Sequence, residues 1–260
     1  EPLKYDEFIS GKFNPIVSFN GSWMDNDALV WMNEDNSKVI SWSIETNETK
    51  VLIPKIKNLP LPVEFVGFAP NNPSLALLTS NSTRLWRYSS MKEYHVFDLR
   101  KKKLTSIIPP TFNASHDVGI PKLSYAAWIP HPNFNRLIYV FENNVYLKDF
   151  AHEGGDSSDI IITDDGVSDE IFNGIPDWVY EEEILETNSA LYVSKTGSKL
   201  AFGRFDDREV NVFDYTVIGG KSPAANQNTR RVGLRYPKPG MPYPVMTLIV
   251  KDLTDVNSTL

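Results

Sequence analysis

Short runs of alternating apolar and polar residues follow one another along most of the chain, and turn-forming residues separate them. Because successive side chains of a strand point to opposite faces, this alternation predicts β-strands. The clearest group is formed by residues 125–130, 136–141 and 145–149, with the turn Asn143-Asn144 before the last run. Short strands joined by such turns predict antiparallel sheets.

The same grouping of strands recurs along the chain, which predicts the blades of a β-propeller within an all-β fold. The predicted blades are approximately 16–52, 65–104, 125–149 and 190–216, and 245–260 is predicted to begin a further blade. Residues 164–185 interrupt the pattern, and residues 218–243 are predicted to be loop-like. From periodicity alone, a β-sandwich remains the alternative.

The composition limits the classes of function. The chain has 260 residues, a formal net charge of −7 and no cysteine. An acidic chain is repelled by phosphate groups, so we expect no nucleic-acid partner. The absence of cysteine excludes disulfides, thiolate metal sites and cysteine nucleophiles within these residues.

Acceptor sequences for N-glycosylation indicate where the protein resides. Asn-x-Ser/Thr sequences occur at Asn20, Asn47, Asn81, Asn113 and Asn257, mostly in polar, turn-like stretches. They favour an extracellular glycoprotein, either secreted or the ectodomain of a membrane protein. The sequence shows no signal peptide or apolar run long enough for a membrane span, and it begins with Glu rather than Met. We therefore expect a segment whose anchor or targeting signal lies upstream.

The sequence contains no recognisable catalytic or metal-binding motif. No G-x-S-x-G motif is present. Ser115-His116-Asp117 has the residue types of a catalytic triad, but adjacent residues cannot adopt triad geometry. The four His residues lack metal-ligand spacing. We therefore predict no catalytic residue, cofactor or metal site in this chain.

One acidic segment carries candidate binding chemistry. Glu181, Glu182 and Glu183 follow an aromatic, apolar run, which Asp177 precedes. In a strand these carboxylates would face alternate sides, whereas in a short helix or irregular loop they can converge. Asp177 is predicted to cap such a helix. Two interpretations remain open: a solvated helix start with an acidic first turn, or a cation site in which a ligand ammonium relieves the repulsion between carboxylates.

The same segment resembles a known family motif. Residues 173–183, with the sequence NGIPDWVYEEE, are similar to the glutamate-pair motif of the dipeptidyl peptidase IV family. Residues 85–89, LWRYS, resemble the W-R-H/Y-S segment of that family, and further matches follow in family order from about residue 5 to 253. The resemblance implies about four blades, and the start of a fifth, from an eight-bladed propeller, with a short helix or loop carrying the Glu pair.

The resemblance also implies an activity. The family consists of serine-type peptidases that remove N-terminal dipeptides, with Pro or Ala at the second position, and that require no cofactor. By the family pattern, Glu182 and Glu183 bind the free α-ammonium of the peptide, and Arg87 lies beside them. Glu181 is then a flanking carboxylate. The catalytic triad lies in an α/β-hydrolase domain that is absent from residues 1–260, so we expect these residues alone to be inactive.

The implied partners are a peptide with a free N-terminus, the downstream hydrolase domain and a second subunit of a homodimer of the full-length protein. The implied location is extracellular, as a type II membrane protein or a secreted one. The alternative is a non-catalytic family member that serves as a channel-accessory ectodomain, although Arg87 favours an enzyme. The third interpretation is an unrelated β-propeller binding module.

Overall fold

The computed structural model describes residues 4–10, 21–24, 27–33, 35–56, 59–60, 62–113, 119–131, 134–150, 158–218 and 229–254. The chain forms two compact units, Glu1–Asn58 and Leu59–Leu260. Within the described ranges, none of the helices has the length and apolar character that a bilayer crossing requires.

The first unit contains a short helix and one antiparallel sheet. The helix α1 spans Tyr5–Ile9, and the strands in sheet order are β1 (Gly21–Trp23), β2 (Ala28–Met32), β3 (Val39–Ser43) and β4 (Thr49–Ile53). Ala28 and Val30 of β2 are buried, as are Val39 and Ser41 of β3. This alternation fits a sheet with one covered face. These strands lie in the segment predicted as the first blade, and β4 ends one residue beyond it.

The second unit begins with two sheets in which the strands pair in sequence order. The second sheet contains β5 (Glu64–Ala69), β6 (Asn72–Arg84), β7 (Ser90–Asp98) and β8 (Lys103–Ser106). The third contains β9 (Tyr125–Ile129), β10 (Asn135–Phe141), β11 (Asn144–Phe150) and β12 (Ser158–Ile161). Both sheets are antiparallel throughout.

The strand β10 shows how the sheets of this unit pack. All of its residues are buried. Leu137 and Tyr139 join a core cluster with residues of the second sheet, whereas Ile138 and Val140 join a cluster with residues of the fourth. The third sheet is therefore covered on both faces by neighbouring sheets. Successive antiparallel sheets packed face to face are the arrangement of propeller blades.

The fourth sheet differs from the predicted blade 190–216. It contains β13 (Ile171–Asn173), β14 (Leu191–Val193), β15 (Lys199–Asp206) and β18 (Val245–Asp252). The strand β18 pairs with β15 over its whole length, so the prediction that this segment begins a further blade was wrong. Side-chain alternation identifies a strand but not its partner, and here the partners are separated by an intervening hairpin.

That intervening hairpin consists of β16 (Val212–Val217) and β17 (Arg230–Arg235). We predicted β16 as part of the fourth blade and residues 218–243 as a loop. Instead, β16 pairs with β17 in a separate two-stranded sheet. The residues of β16 and β17 are exposed or half-buried. Because this hairpin contributes little to the core, its sequence lacks the clear alternation of apolar and polar residues that marks a half-buried strand.

Candidate functional site

The acidic segment is inserted into an edge strand of the fourth sheet. Strands β13 and β14 both pair with β15, on the same side of it. Between them, the N–H of Gly174 donates to the carbonyl of Gly203 at 2.9 Å, and the N–H of Gly203 donates to the carbonyl of Ala190 at 3.0 Å. The N–H of Ala190 donates to the carbonyl of Gly174 at 2.9 Å. The chain therefore leaves the sheet at Gly174 and returns to it at Ala190. Both residues bond to Gly203, so they occupy neighbouring positions along the same edge of β15.

The inserted segment folds as a short helix, one of the two conformations that the sequence left open. A π-helical turn spans Tyr180–Leu185 and ends at Glu186, whose φ is 52°. Asp177 caps the turn: its Oδ1 accepts hydrogen bonds from the N–H groups of Val179, at 2.8 Å, and Tyr180, at 3.1 Å. The N–H of Glu181 donates to the carbonyl of Asp177 at 2.9 Å.

Aromatic contacts hold the turn against its surroundings. The ring of Tyr180 lies 4.8 Å from that of Phe205, which is fully buried in β15. The ring of Trp178 lies 4.8 Å from that of Tyr236, just beyond β17. Tilted ring pairs at this separation stabilise by about 0.5–1.5 kcal/mol beyond the area that they bury. The aromatic, apolar run before the glutamates therefore anchors the turn on two sides.

The loop between β6 and β7 supplies the groups that meet the glutamates. The N–H of Leu85 donates to the carbonyl of Ser89 at 3.0 Å, which closes the loop. The guanidinium of Arg84 donates to the carbonyls of Trp86 and Arg87, both at 3.0 Å. These internal hydrogen bonds fix the backbone of the loop. The N–H groups that follow in the loop take no part in them and are therefore free to bind another element.

The loop and the turn meet through two carboxylates. Oε1 of Glu181 accepts from the N–H groups of Tyr88, at 2.9 Å, and Ser89, at 2.8 Å. Oε1 of Glu182 accepts from the N–H of Arg87 at 2.8 Å, and its Oε2 lies 2.9 Å from Nε of Arg87. Glu181 is 3% exposed and Glu182 is 9% exposed. Such charge-assisted bonds are the stronger class of hydrogen bond in proteins.

The three glutamates therefore occupy different environments. Glu181 is buried and bonded to backbone N–H groups, Glu182 is buried and bonded to Arg87, and Glu183 is exposed. The structure brings together two of the predicted site residues, Arg87 and Glu182, and places Glu183 next to them along the turn. The sequence assigned no role to Glu181, which in the structure binds the loop. Because Glu181 lies in an unbroken run of three carboxylates, no feature of the sequence distinguishes it from the other two.

Two buried aspartates have raised pKa values: Asp177, which caps the turn, and Asp207, which directly follows β15. Burial raises the pKa of Asp177 to about 6, against the opposing effect of its backbone hydrogen bonds. Burial, and secondly the charge of Asp177, raise the pKa of Asp207 to about 8, while Arg235 lowers it. Sequence reasoning missed Asp207, because its neighbours Asp206 and Arg208 make the segment look like a solvated turn.

A cavity of about 690 Å³ adjoins the loop and the turn. Its wall includes the apolar side chains of Leu85, Trp86 and Ile175, and also Glu181. Glu142 and Asp169 line it as well, so its charged lining is acidic. A cavity with this lining, next to a buried carboxylate, suits an apolar group that carries positive charge rather than an anion.

The remaining predicted positions fall on both described and undescribed residues. Asn47, Asn81 and Asn113 are exposed, and Asn20 and Asn257 lie outside the described residues. Ser115-His116-Asp117 also lies outside them, within the undescribed residues 114–118. In the part of the chain that the structure describes, no three His, Cys, Asp or Glu side chains are grouped so that they could hold a metal ion.

The packed antiparallel sheets, and an acidic turn inserted into one of their edge strands, define a β-propeller segment with a candidate cation site. A sequence profile described as "Dipeptidyl peptidase IV (DPP IV) N-terminal region" matches residues 71–260. The chain belongs to this family, and the predicted membership is confirmed.

Individual relatives agree with the family assignment. The chain is 31% identical over 252 residues to prolyl endopeptidase FAP of Bos taurus, covering 97% of this chain and 30% of that protein. It is 30% identical over 259 residues to venom dipeptidyl peptidase 4 of Apis mellifera, covering 100% of this chain and 31% of that protein. The chain thus spans about a third of the length of these relatives.

A solved structure supports the fold. The crystal structure of Porphyromonas gingivalis dipeptidyl peptidase 4 matches with a TM-score of 0.76 at 20% identity, covering 99% of this chain and 34% of that chain. The predicted fold class, an all-β segment of a β-propeller, is confirmed.

Proposed function

We propose that this chain is the substrate-recognition propeller segment of a serine-type dipeptidyl peptidase, and that Glu182 and Glu183 bind the free N-terminal ammonium of the peptide. In this proposal Arg87 positions the pair, and the hydrolytic chemistry belongs to an α/β-hydrolase domain outside these residues. The substrates are peptides with Pro or Ala at the second position, and the protein acts outside the cell.

The observation that carries this proposal is the way in which Arg87 holds Glu182 while Glu183 stays exposed. The turn carries three carboxylates against one guanidinium. Arg87 balances one of these charges, so the turn keeps a net negative charge that attracts a cation. A primary ammonium offers three N–H donors and can bind both carboxylates.

An ammonium site of this kind also explains selection of the chain end. Only the first residue of a peptide carries an α-ammonium. If that group is held at a fixed distance from a nucleophile, the cleaved bond is set by the number of residues that span the distance. Acetylation of the amine removes the charge and replaces donors with a bulky group. Glu182 and Glu183 would then lose their charge-assisted bonds.

The test uses the full-length gene product and release of a chromogenic group from a Gly-Pro amide. We expect Glu182→Ala and Glu183→Ala each to lower kcat/KM by about 10- to 150-fold, the equivalent of one charge-assisted hydrogen bond. Glu45→Gln, an exposed carboxylate in the turn between β3 and β4, removes the same charge away from the turn and is expected to have no effect.

The outcomes separate the alternatives. Loss of activity in both variants, together with no cleavage of the N-acetylated amide, supports the ammonium site. Activity that survives in both variants would exclude it. A folded full-length protein without peptidase activity would instead support the non-catalytic, partner-binding interpretation.

A further inference from the structure

The two peptide groups on either side of the Cα of Arg87 are each bonded at both ends. Their carbonyls, those of Trp86 and Arg87, accept from Nε and Nη2 of Arg84, both at 3.0 Å. Their N–H groups, those of Arg87 and Tyr88, donate to carboxylates of the turn at 2.8 Å and 2.9 Å. Because each peptide group is planar, holding both of them fixes φ and ψ of Arg87, and with them the direction of its Cα–Cβ bond.

The direction of this bond determines where the side chain of Arg87 can reach. Its Nε lies 2.9 Å from Oε2 of Glu182, and its side chain is 61% exposed. A long side chain with so much exposed surface has many rotamers open to it, and packing restricts them little. The main chain of Arg87 therefore has a large share in bringing the guanidinium to Glu182.

Glu181 is the buried part of this arrangement. Its Oε1 accepts from two successive N–H groups, those of Tyr88 at 2.9 Å and Ser89 at 2.8 Å. Successive backbone N–H groups can form a concavity that binds an anion. Glu181 is 3% exposed, so water competes little for its bonds, whereas Arg84 is exposed. We therefore expect Glu181 to contribute more to the orientation of Arg87 than Arg84 does.

The role of Glu181 in this arrangement requires an acceptor oxygen rather than a charge. Both of its bonds to the loop use the same oxygen, Oε1. The amide oxygen of Gln also accepts two hydrogen bonds, so Gln can replace Glu181 here. If Glu181 instead attracted the substrate directly, its negative charge would be essential. The two roles therefore differ in what Gln does at this position.

We propose that Glu181 and Arg84 are positioning residues for Arg87. Together they hold its two peptide groups, and in this way they direct its guanidinium to Glu182. Neither residue touches the substrate. The kinetic consequence rests on the proposed function, in which Glu182 and Glu183 bind the substrate's ammonium: when Arg87 is displaced, the pair loses its orientation.

The kinetic experiment uses the full-length gene product and the Gly-Pro amide. We expect Glu181→Ala to lower kcat/KM about tenfold and Glu181→Gln to stay within about twofold of wild type. Arg84→Lys keeps the charge, but one ammonium cannot hold two carbonyls in the geometry of a guanidinium, so we expect a loss of about threefold. Glu45→Gln, in the exposed turn between β3 and β4, is the control and should have no effect.

A double substitution tests whether Glu181 acts through Arg87. In a protein that already carries Arg87→Ala, adding Glu181→Ala should lower kcat/KM further by no more than about twofold, because the group that Glu181 positions is absent. An equal fold-change in both backgrounds would overturn the proposal. A loss in Glu181→Gln as large as that in Glu181→Ala would also overturn it, because only a required charge behaves in that way.

Hydrogen exchange tests the same contacts without substrate or catalysis. In a peptide that covers residues 85–91, we expect Glu181→Ala to speed exchange at two amides, those of Tyr88 and Ser89, and Glu181→Gln to leave both protected. Unchanged exchange in Glu181→Ala would overturn the proposal whatever the peptidase activity.

A variant that fails to fold does not prevent the test. If Glu181→Ala does not fold, Glu181→Gln still decides, because a tenfold loss of kcat/KM in folded Glu181→Gln would overturn the proposal. Failure of the ammonium site itself appears separately, as unchanged kcat/KM in the Glu182 and Glu183 variants.

Discussion

Arg87 and Glu182 are joined by two bonds, one from the main chain and one from the side chain. The N–H of Arg87 donates to Oε1 at 2.8 Å, and its Nε lies 2.9 Å from Oε2. Both oxygens of one carboxylate are thus held by a single residue of the loop between β6 and β7. The side chain of Arg87 is 61% exposed and that of Glu182 is 9% exposed, so the pair lies at the boundary between core and solvent.

Replacing the guanidinium tests the side-chain bond separately from the main-chain bond. Arg87→Lys keeps the main-chain N–H but replaces the planar donor with a flexible ammonium, which cannot hold the carboxylate in the same orientation. We expect kcat/KM for a free-amine Gly-Pro amide to fall about tenfold in the full-length protein. The free energy of unfolding is expected to change by less than about 1 kcal/mol, because the pair is partly exposed.

The control for this variant is Arg100→Lys, at an exposed position in the turn before β8. It makes the same chemical change away from the glutamates and should leave both quantities unchanged. If Arg87→Lys retained full kcat/KM, the orientation of Glu182 by the guanidinium would not contribute to binding.

Gly203 lies where the inserted segment leaves and rejoins the fourth sheet. A Cβ at this position would lie 2.8 Å from Cε2 of Phe205 and 3.3 Å from Cβ of Ala190. Phe205 is fully buried, so its ring cannot move away freely. We expect Gly203→Ala to lower the free energy of unfolding by about 1–3 kcal/mol, as overpacking does elsewhere. Urea unfolding of wild type and variant measures this difference.

The matched control is Gly67→Ala, in β5, where a Cβ would meet nothing within 4 Å. Its expected effect on the unfolding free energy is small, about 0.5 kcal/mol or less. Equal destabilisation by both substitutions would mean that the close approach at Gly203 does not limit the packing of the insertion.

The exposed acceptor sequences give a prediction about modification. Asn47 and Asn113 are exposed, and the Oδ1 of Asn47, which accepts from Nε1 of Trp42 at 3.1 Å, remains available when a glycan is attached to Nδ2. Asn81 is exposed too, but its Nδ2 donates to Glu93 at 2.5 Å. We expect full occupancy at Asn47 and Asn113 and lower occupancy at Asn81 in protein expressed through a eukaryotic secretory pathway.

Peptide mapping after enzymatic deglycosylation measures the occupancy, because removal of the glycan converts Asn to Asp. Asn36 has no Ser or Thr two positions later and serves as the internal control for spontaneous deamidation. Unmodified Asn47 and Asn113 would contradict the prediction that these exposed acceptor sequences are glycosylated.

Local features of the site followed from the sequence, whereas its long-range contacts did not. The cap by Asp177 was predictable, and a short helix was one of two conformations that the sequence allowed, because both depend on residues a few positions apart. The approach of Arg87 to Glu182 came only from family resemblance. Physically it depends on a loop 95 positions away in sequence, and no local pattern specifies such a contact.

The pairing of β18 with β15 illustrates the same limit in the fold. Alternation identified both strands, but the choice of partner depends on the hairpin β16–β17, which departs from the sheet and returns. Asp207 is the corresponding case in the site, because a charged residue beside Asp206 and Arg208 has the local appearance of a solvated turn. Only the folded structure shows it to be 3% exposed.

His95 makes stability depend on pH in the acid range. It is fully buried in β7, with Nε2 at 2.9 Å from Oγ of Ser80 and Nδ1 at 3.0 Å from Oγ of Ser106. Burial lowers its pKa, and Glu93 opposes this only in part. An unfolded His has a pKa of about 6.5. Below that pH the unfolded chain binds a proton that the folded protein does not, so the free energy of unfolding falls as pH decreases.

The decrease in the free energy of unfolding begins near pH 6.5. It ends below the folded-state pKa of His95, where the folded and unfolded states both bind the proton. We expect His95→Gln, which keeps polar groups near Ser80 and Ser106, to flatten the decline between pH 7 and pH 5 in urea unfolding of the full-length protein. The raised pKa values of Asp177 and Asp207 act in the opposite direction, with stability lost as pH rises. Because those residues are present in both proteins, the difference between wild type and variant isolates His95. His131→Gln is the control, and a parallel pH dependence in wild type and His95→Gln would show that His95 does not cause the decline.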